Sequence, residues 1–262
     1  MARVGEGGAV AGQLAGKAVL VTGASSGIGQ AIAVACARAG ADVAVTYRSN
    51  RAGGDAAADQ IRALGRRAEL LPLALEDEKS IAALPDAIRR TFGRIDVWIN
   101  NAGADILTGA AGRRARVDKL DEVLRVDLRG TVLASWAAVD LMRSQGDGGV
   151  ILNMSWDHVS FGMAGENPGL YAVAKGGVLA FSKSLARDVA PHIRVNVLAP
   201  GFIETAFGEV ADERWRGHVV GVTPLARWGT PADVAGAAVY LASDEAAFLT
   251  GQTIMINGGV VM

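Results

Sequence analysis

The sequence predicts an α/β fold: a single domain on a doubly wound parallel sheet of about seven strands, with helices on both faces. Three observations predict it. Short apolar, β-branched runs alternate with longer segments of helical period. Several of those runs are apolar on both faces, as strands buried in a parallel sheet are. A glycine-rich turn leaves the first run and opens the first helical segment, which places a ligand site at the carboxyl end of a strand.

The strand-like runs are Ala18 to Thr22, Asp42 to Tyr47, Glu69 to Leu73, Asp96 to Asn100, Val150 to Met154, Arg194 to Leu198 and Thr253 to Ile256. Between the first two, Ile28, Ile32, Ala35 and Ala39 recur at spacings of 4, 3 and 4. That is one face of a helix, and Gly40 is placed to end it. Further helices are predicted over Gly53–Leu64, Glu78–Thr91, Asp118–Ser144, Tyr171–Ala190 and Pro231–Ser243.

The chain has 262 residues, within the range of single-domain α/β folds. Half the residues are hydrophobic and 20% are charged, which excludes a disordered chain. A net charge of −1 offers no footprint for nucleic acid or a membrane surface. Cys36 is the only cysteine, so no intrachain disulfide forms, and its apolar setting reads as a buried small hydrophobe. Residues 1–15 read as a flexible N-terminal tail and 16–262 as the domain. The tail lacks the apolar segment of a signal peptide, and no run approaches the roughly 18 apolar residues that span a membrane. A cytoplasmic location is expected.

The first turn reads Thr22-Gly23-Ala24-Ser25-Ser26-Gly27-Ile28-Gly29. A turn this tight needs residues without a Cβ, and so does close approach of backbone N–H groups to a pyrophosphate. The helix behind it points the positive end of its dipole at that anion. Its TGxxxGxG spacing is one of several ordered motifs. Asn100-Asn101-Ala102-Gly103 closes the fourth strand, and Tyr171 and Lys175 form a YxxxK. Pro200-Gly201-Phe202-Ile203-Glu204-Thr205 forms a PGxxxT, and Thr250-Gly251-Gln252 and Gly258-Gly259 follow. In these motifs the chain resembles the short-chain dehydrogenase/reductase family from Lys17 onward, which implies a Rossmann-type fold and a nicotinamide cofactor.

Spacing puts Tyr171 and Lys175 on one helical face. A phenol with a pKa of about 10 is a poor base at neutral pH, and a nearby ammonium lowers that value. The resemblance implies Tyr171 as acid/base, and Lys175 as its tuner and anchor of the nicotinamide ribose. It further implies cofactor contacts from Gly23, Ser25, Ser26, Gly27, Ile28, Gly29, Asn101, Ala102, Gly103, Tyr171, Lys175, Pro200, Gly201, Ile203 and Thr205. A homotetramer or homodimer is implied as well.

Three departures stand out. The family's substrate-binding serine falls on Trp156 when aligned from the fifth strand and on His158 when counted back from Tyr171. Ser155, Asp157 and His158 remain candidates for its role, with no replacement as the fourth option. Asp127 stands where the family has Asn in a proton relay; an ionised aspartate accepts but cannot donate. Ala74 replaces an adenine-contacting aspartate, leaving Leu75 to flank the adenine with its backbone.

After the second strand the chain reads Arg48-Ser49-Asn50, with no acid until Asp55. An NAD site places an acid here for the ribose 2′-hydroxyl. The forked cation of Arg48, helped by Ser49 and Asn50, suits a 2′-phosphate, which favours NADP(H) over NAD(H). No metal site is expected. Trp156, Phe161, Met163, Phe207 and Trp215 are expected to wall the substrate pocket, with Asn167 and His218 nearby and Phe202 to Arg227 as a mobile lid. An NADP(H)-dependent oxidoreductase for a carbonyl or alcohol on an apolar or cyclic molecule is the leading expectation. An epimerase or dehydratase of the same family, or a low-turnover cofactor-binding sensor or scaffold, are the alternatives.

Overall fold

A computed structural model describes residues 12–107, 109–205 and 211–262. Seven strands form one sheet: β1 (Ala18–Val21), β2 (Asp42–Tyr47), β3 (Ala68–Pro72), β4 (Val97–Asn100), β5 (Gly149–Met154), β6 (Ile193–Pro200) and β7 (Thr253–Ile256). All pairings are parallel, in the order β3-β2-β1-β4-β5-β6-β7. The order reverses between β1 and β4, the switch point at which open α/β sheets bind ligands.

Helices α1 (Gly27–Arg38) and α2 (Arg51–Ala63) cover one face, joined late in the chain by a helix over Pro231–Ala242. The other face carries α3 (Glu78–Ala82), α4 (Leu84–Phe92), and the long helices over Thr131–Gln145 and Glu166–Val189. Cys36 lies fully buried among α1's apolar neighbours, where burial pushes its thiol up to about 12.

All seven expected strands are present within a residue or two of their predicted bounds. The helices differ more. The expected Glu78–Thr91 helix breaks after Ala82 because Pro85 has no N–H and crowds the carbonyl four residues back. A short helix, α5 (Gly109–Gly112), precedes the expected Asp118–Ser144 helix, which runs as α6 (Arg116–Val123), a π-helical segment (Leu124–Gly130) and α7 (Thr131–Gln145). Helix α8 (Glu166–Val189) starts five residues earlier than predicted, with Pro168 tolerated in its first turn. Part of the expected lid is helix α9 (Glu213–Val222), capped by the Asp212 carboxylate accepting from the Trp215 N–H, and the last helix is α10 (Pro231–Ala242).

The expected tail needs correction at its inner end. Leu14 is fully buried in the α1 core, and its N–H donates to the Ala39 carbonyl at 2.8 Å. Residues 12–15 therefore belong to the folded domain, because an apolar side chain at that point seals the end of α1. Residues 1–11 lie outside the described residues. Among the described residues no helix is long and apolar enough to cross a membrane.

Candidate functional site

The carboxyl ends of β1, β4, β5 and β6 open into one cavity of about 1010 Å³. Every residue expected to contact a cofactor lines it, from the glycine turn through Arg48, Ser49 and Asn50 to Thr205.

The glycine turn is held from behind. The Thr22 hydroxyl accepts from the N–H groups of Asn101 and Ala102, both at 3.0 Å. The Asn101 amide donates back to the carbonyls of Thr22 and Gly23. Gly23 sits at φ 63°, and a Cβ there would come within 2.8 Å of the Ala102 Cα. At the mouth of α1, Ser26 gives no side-chain cap and the first turn holds no acid. An uncapped helix start lined by glycines fits a pyrophosphate, whose oxygens accept from the free N–H groups. Thr205 closes over the turn, 3.6 Å from where a Gly27 Cβ would stand. A Gly29 Cβ would lie 2.4 Å from both the Gly23 carbonyl oxygen and the Asn101 amide nitrogen. Gly29→Ala is therefore expected to weaken nicotinamide dinucleotide binding at least about tenfold and destabilise by about 1–3 kcal/mol, read by fluorescence titration and thermal melting.

The adenosine end departs from expectation. The Asn50 side chain caps α2 by accepting from the Gly53 N–H, and its amide donates to the Ser25 carbonyl. That leaves Asn50 little to offer a phosphate, so Arg48 and Ser49 alone keep that expectation. Arg48 pairs with Glu76, whose second carboxylate oxygen is buried without a partner. Both residues line the cavity. An acid thus stands beside Arg48 after all, brought there from beyond β3. A search by proximity in sequence misses it, because β2 and β3 meet only through the sheet.

At the other end Tyr171 lines the cavity, half-buried, and Lys175 lies beneath it, 3% exposed in its side chain. The lysine ammonium is 5.4 Å from the Tyr171 ring centre and 3.0 Å from the Asp127 carboxylate. Asp127 is fully buried and accepts from the Ala104 N–H at 2.7 Å. It sits in the π-helical segment, whose widened turn sets it inward over Gly103. Burial opposes the Lys175 charge, but Asp127 and then Tyr171 outweigh it, so the ammonium lies above the ordinary lysine range. Tyr171 moves the other way from expectation. Burial raises its phenol more than Lys175 lowers it, and the Asp127 charge adds to the rise.

The loop after β5 sorts the serine candidates. The Ser155 hydroxyl donates to the Lys175 backbone carbonyl at 2.9 Å, although the residue touches the cavity. Asp157 and His158 turn inward in a 3₁₀ turn (Asp157–Ser160) and lie 2.6 Å apart, carboxylate to ring nitrogen. Neither lines the cavity, and burial pushes Asp157 upward despite His158. Their expected placement against a substrate is corrected: a helical turn at that point carries two short polar side chains under the loop. Trp156 is left facing the cavity, its ring 5.6 Å from Tyr171 and stacked on His158 at 5.0 Å.

Of the other expected pocket walls, Met163 and Trp215 line the cavity. Phe161 does not; the same 3₁₀ turn carries it outward to 51% exposure. His218 stacks on Trp215 at 5.1 Å without lining the cavity. Phe207 lies outside the described residues. Asn167 lines the cavity, but its amide is tied to Lys119 and the Gly112 carbonyl. Phe202, expected only as the start of the lid, packs between His158, Trp215 and Trp228 and joins the loops around the pocket. A buried amide network supports the strand ends: Asn100 donates to Asn153 at 2.8 Å, and Asn153 to Ser182 of α8 at 2.9 Å. Among the described residues no three potential ligands cluster as a metal site.

Residues 23–261 match the family model described as enoyl-(acyl carrier protein) reductase. The 3-oxoacyl-[acyl-carrier-protein] reductase FabG of Escherichia coli is 38% identical over 248 residues, covering 94% of this chain and 98% of that protein. A putative short-chain alcohol dehydrogenase of Sinorhizobium meliloti superposes with a TM-score of 0.85 at 36% identity, covering 94% of this chain and 97% of that one. A 7α-hydroxysteroid dehydrogenase, solved with NADH and 7-oxo glycochenodeoxycholic acid, has a TM-score of 0.85 at 29% identity, covering 94% of each chain.

Proposed function

We propose, since the chain belongs to the short-chain dehydrogenase/reductase family of oxidoreductases, that it reduces the carbonyl of an apolar or cyclic molecule with NADPH. The observation that carries the reading is the Tyr171–Lys175–Asp127 cluster at one end of the cavity, beside an aromatic wall. The glycine turn, Asn101, Lys175 and Thr205 would hold the dinucleotide. Hydride at the substrate carbon is the chemistry a bound nicotinamide supplies. Tyr171 donates a proton to the carbonyl oxygen as that carbon is reduced. Its raised pKa keeps the phenol protonated, which suits an acid and hence reduction. Lys175 stabilises the tyrosinate left behind, and Asp127 holds Lys175 charged.

Trp156, Met163, Phe202 and Trp215 give the substrate side an apolar wall, which favours a flat or cyclic substrate over a small charged one. A homotetramer or homodimer fits the exposed Trp136 of α7 and Val173 of α8, and a cytoplasmic location fits the single buried thiol. Purified protein mixed with NADPH and a panel of cyclic, aryl and 3-oxoacyl ketones should consume the reduced cofactor. No loss of nicotinamide absorbance with any ketone, despite tight cofactor binding, sinks the reading in favour of a sensor or scaffold.

One observation favours NAD(H) instead: the Glu76 carboxylate beside Arg48, able to accept from a ribose 2′-hydroxyl. The two readings separate by affinity. With NADP(H), Arg48→Ala weakens NADPH by about tenfold or more and leaves NADH nearly unchanged, while Glu76→Gln frees Arg48 and tightens NADPH. With NAD(H), Glu76→Gln weakens NADH and Arg48→Ala treats both alike. Fluorescence titration of the reduced cofactors reads all four values.

A further inference from the structure

We propose that the indole N–H of Trp156 is the donor that polarises the substrate carbonyl beside Tyr171, in the place where a serine hydroxyl would otherwise stand. The inference rests on the carbonyl-reductase reading above.

A carbonyl oxygen that takes a proton from Tyr171 has a second lone pair. A fixed donor aimed at it stabilises the charge that develops there. The loop after β5 offers four side chains for that position, and the structure commits three of them elsewhere. The single proton of the Ser155 hydroxyl goes to the Lys175 carbonyl. Asp157 and His158 hold each other beneath the loop, away from the cavity.

Trp156 differs on every count. It lines the cavity, and its ring stands 5.6 Å from Tyr171 with the planes at 66°. Indole nitrogen only donates. Trp98 and Trp228 spend their indole N–H inside the protein, on Asn100 at 2.9 Å and on the Arg216 carbonyl at 3.3 Å. The Trp156 indole N–H has no acceptor among the described residues and is not among the buried unpartnered atoms, and the residue that carries it lines the cavity. The plane of the indole is set by His158 stacked on it at 25°, which Phe202 backs at 5.7 Å. The Asp157–His158 pair thereby gains a purpose as support for the ring.

Trp156 keeps its proton throughout. Hydride goes to the carbonyl carbon, the proton of Tyr171 goes to the oxygen, and Trp156 only donates a hydrogen bond. The same residue then serves as wall and donor, which suits a carbonyl borne on a flat ring lying against it.

Trp156→Phe keeps a ring and deletes the N–H; Ser155→Ala deletes the hydroxyl. Both are compared with wild type on NADPH and cyclohexanone plus aryl ketones, with cofactor affinity and melting temperature recorded for each. The expected result is about a 10²-fold loss of kcat in Trp156→Phe at unchanged cofactor affinity, and a loss under about fivefold in Ser155→Ala. A second reading needs no turnover. The ¹⁵N-indole resonance of Trp156 in the NADP⁺ complex, assigned by its absence from Trp156→Phe, should move downfield when a ketone the enzyme reduces is added. A Trp156→Phe kcat within about threefold of wild type, or the 10²-fold loss appearing in Ser155→Ala instead, overturns the proposal. Failure of the underlying reading looks different: wild type binds NADPH and reduces no ketone.

Discussion

Tyr171→Phe is expected to lower the rate of carbonyl reduction by about 10²–10⁴-fold while the fold and the cofactor affinity stay as they are. The phenyl ring keeps its edge contact with Trp156, and only the hydroxyl is removed. Thermal melting and cofactor titration should therefore match wild type, and single-turnover rates with NADPH should not. The pH profile of wild type carries a second check. Reduction needs the protonated phenol, and burial together with Asp127 holds the Tyr171 pKa above its ordinary value. The rate should thus stay flat through neutral pH and fall only above about pH 10, as the phenol loses its proton. A decline centred near neutrality would assign the proton to some other group. Retention of wild-type rates in Tyr171→Phe would remove Tyr171 from the chemistry altogether.

The strands and the cofactor turn were legible because they depend on local rules. Buried parallel strands must be apolar on both faces, and Gly23 and Gly29 are required by contacts under 3 Å that any Cβ would violate. The Tyr171–Lys175 pair was legible because four residues on a helix fix a shared face. What failed to show in sequence is contact made through the tertiary fold. Glu76 reaches Arg48 across two strands. The 3₁₀ turn after Trp156 reverses the exposure of Asp157 and His158 relative to a simple extended loop. The π-helical segment around Asp127 has no signature in apolar period, since one extra residue in a turn leaves the hydrophobic pattern nearly helical. Phe202 was hidden for a similar reason: an aromatic residue in a loop shows its partners only when the loop is folded.

Removing the Asp127 carboxylate should damage stability and chemistry together, and in separable ways. Asp127→Ala leaves the Lys175 ammonium buried without its 3.0 Å partner and the Ala104 N–H without its acceptor. Breaking one side of a buried pair costs about 3–5 kcal/mol, a fall in Tm of about 10 °C for a domain this size. The loss should depend on pH with a definite sign. In wild type the Lys175 pKa is raised, so its contribution is complete below the ordinary lysine range of about 10.4 and is lost only as pH climbs past the raised value. Wild-type stability is therefore insensitive to this group between about pH 6 and 9. In Asp127→Ala, burial acts on Lys175 with less to oppose it and pulls the pKa down. The unfolded chain then binds more protons than the folded one, stability rises with pH, and the deficit narrows from pH 6 to 9. A deficit that stays constant over that range would mean Lys175 keeps its proton without Asp127. Asp127→Asn keeps an acceptor for Ala104 and should cost less. It also removes the charge that raises the Tyr171 phenol, so the alkaline limb of reduction should move to lower pH. A shift to higher pH would show that Lys175 had lost its charge along with its partner, since Lys175 is the group that favours the tyrosinate. Melting curves and pH–rate profiles on these two variants therefore separate the carboxylate's part in holding Lys175 from its part in tuning Tyr171.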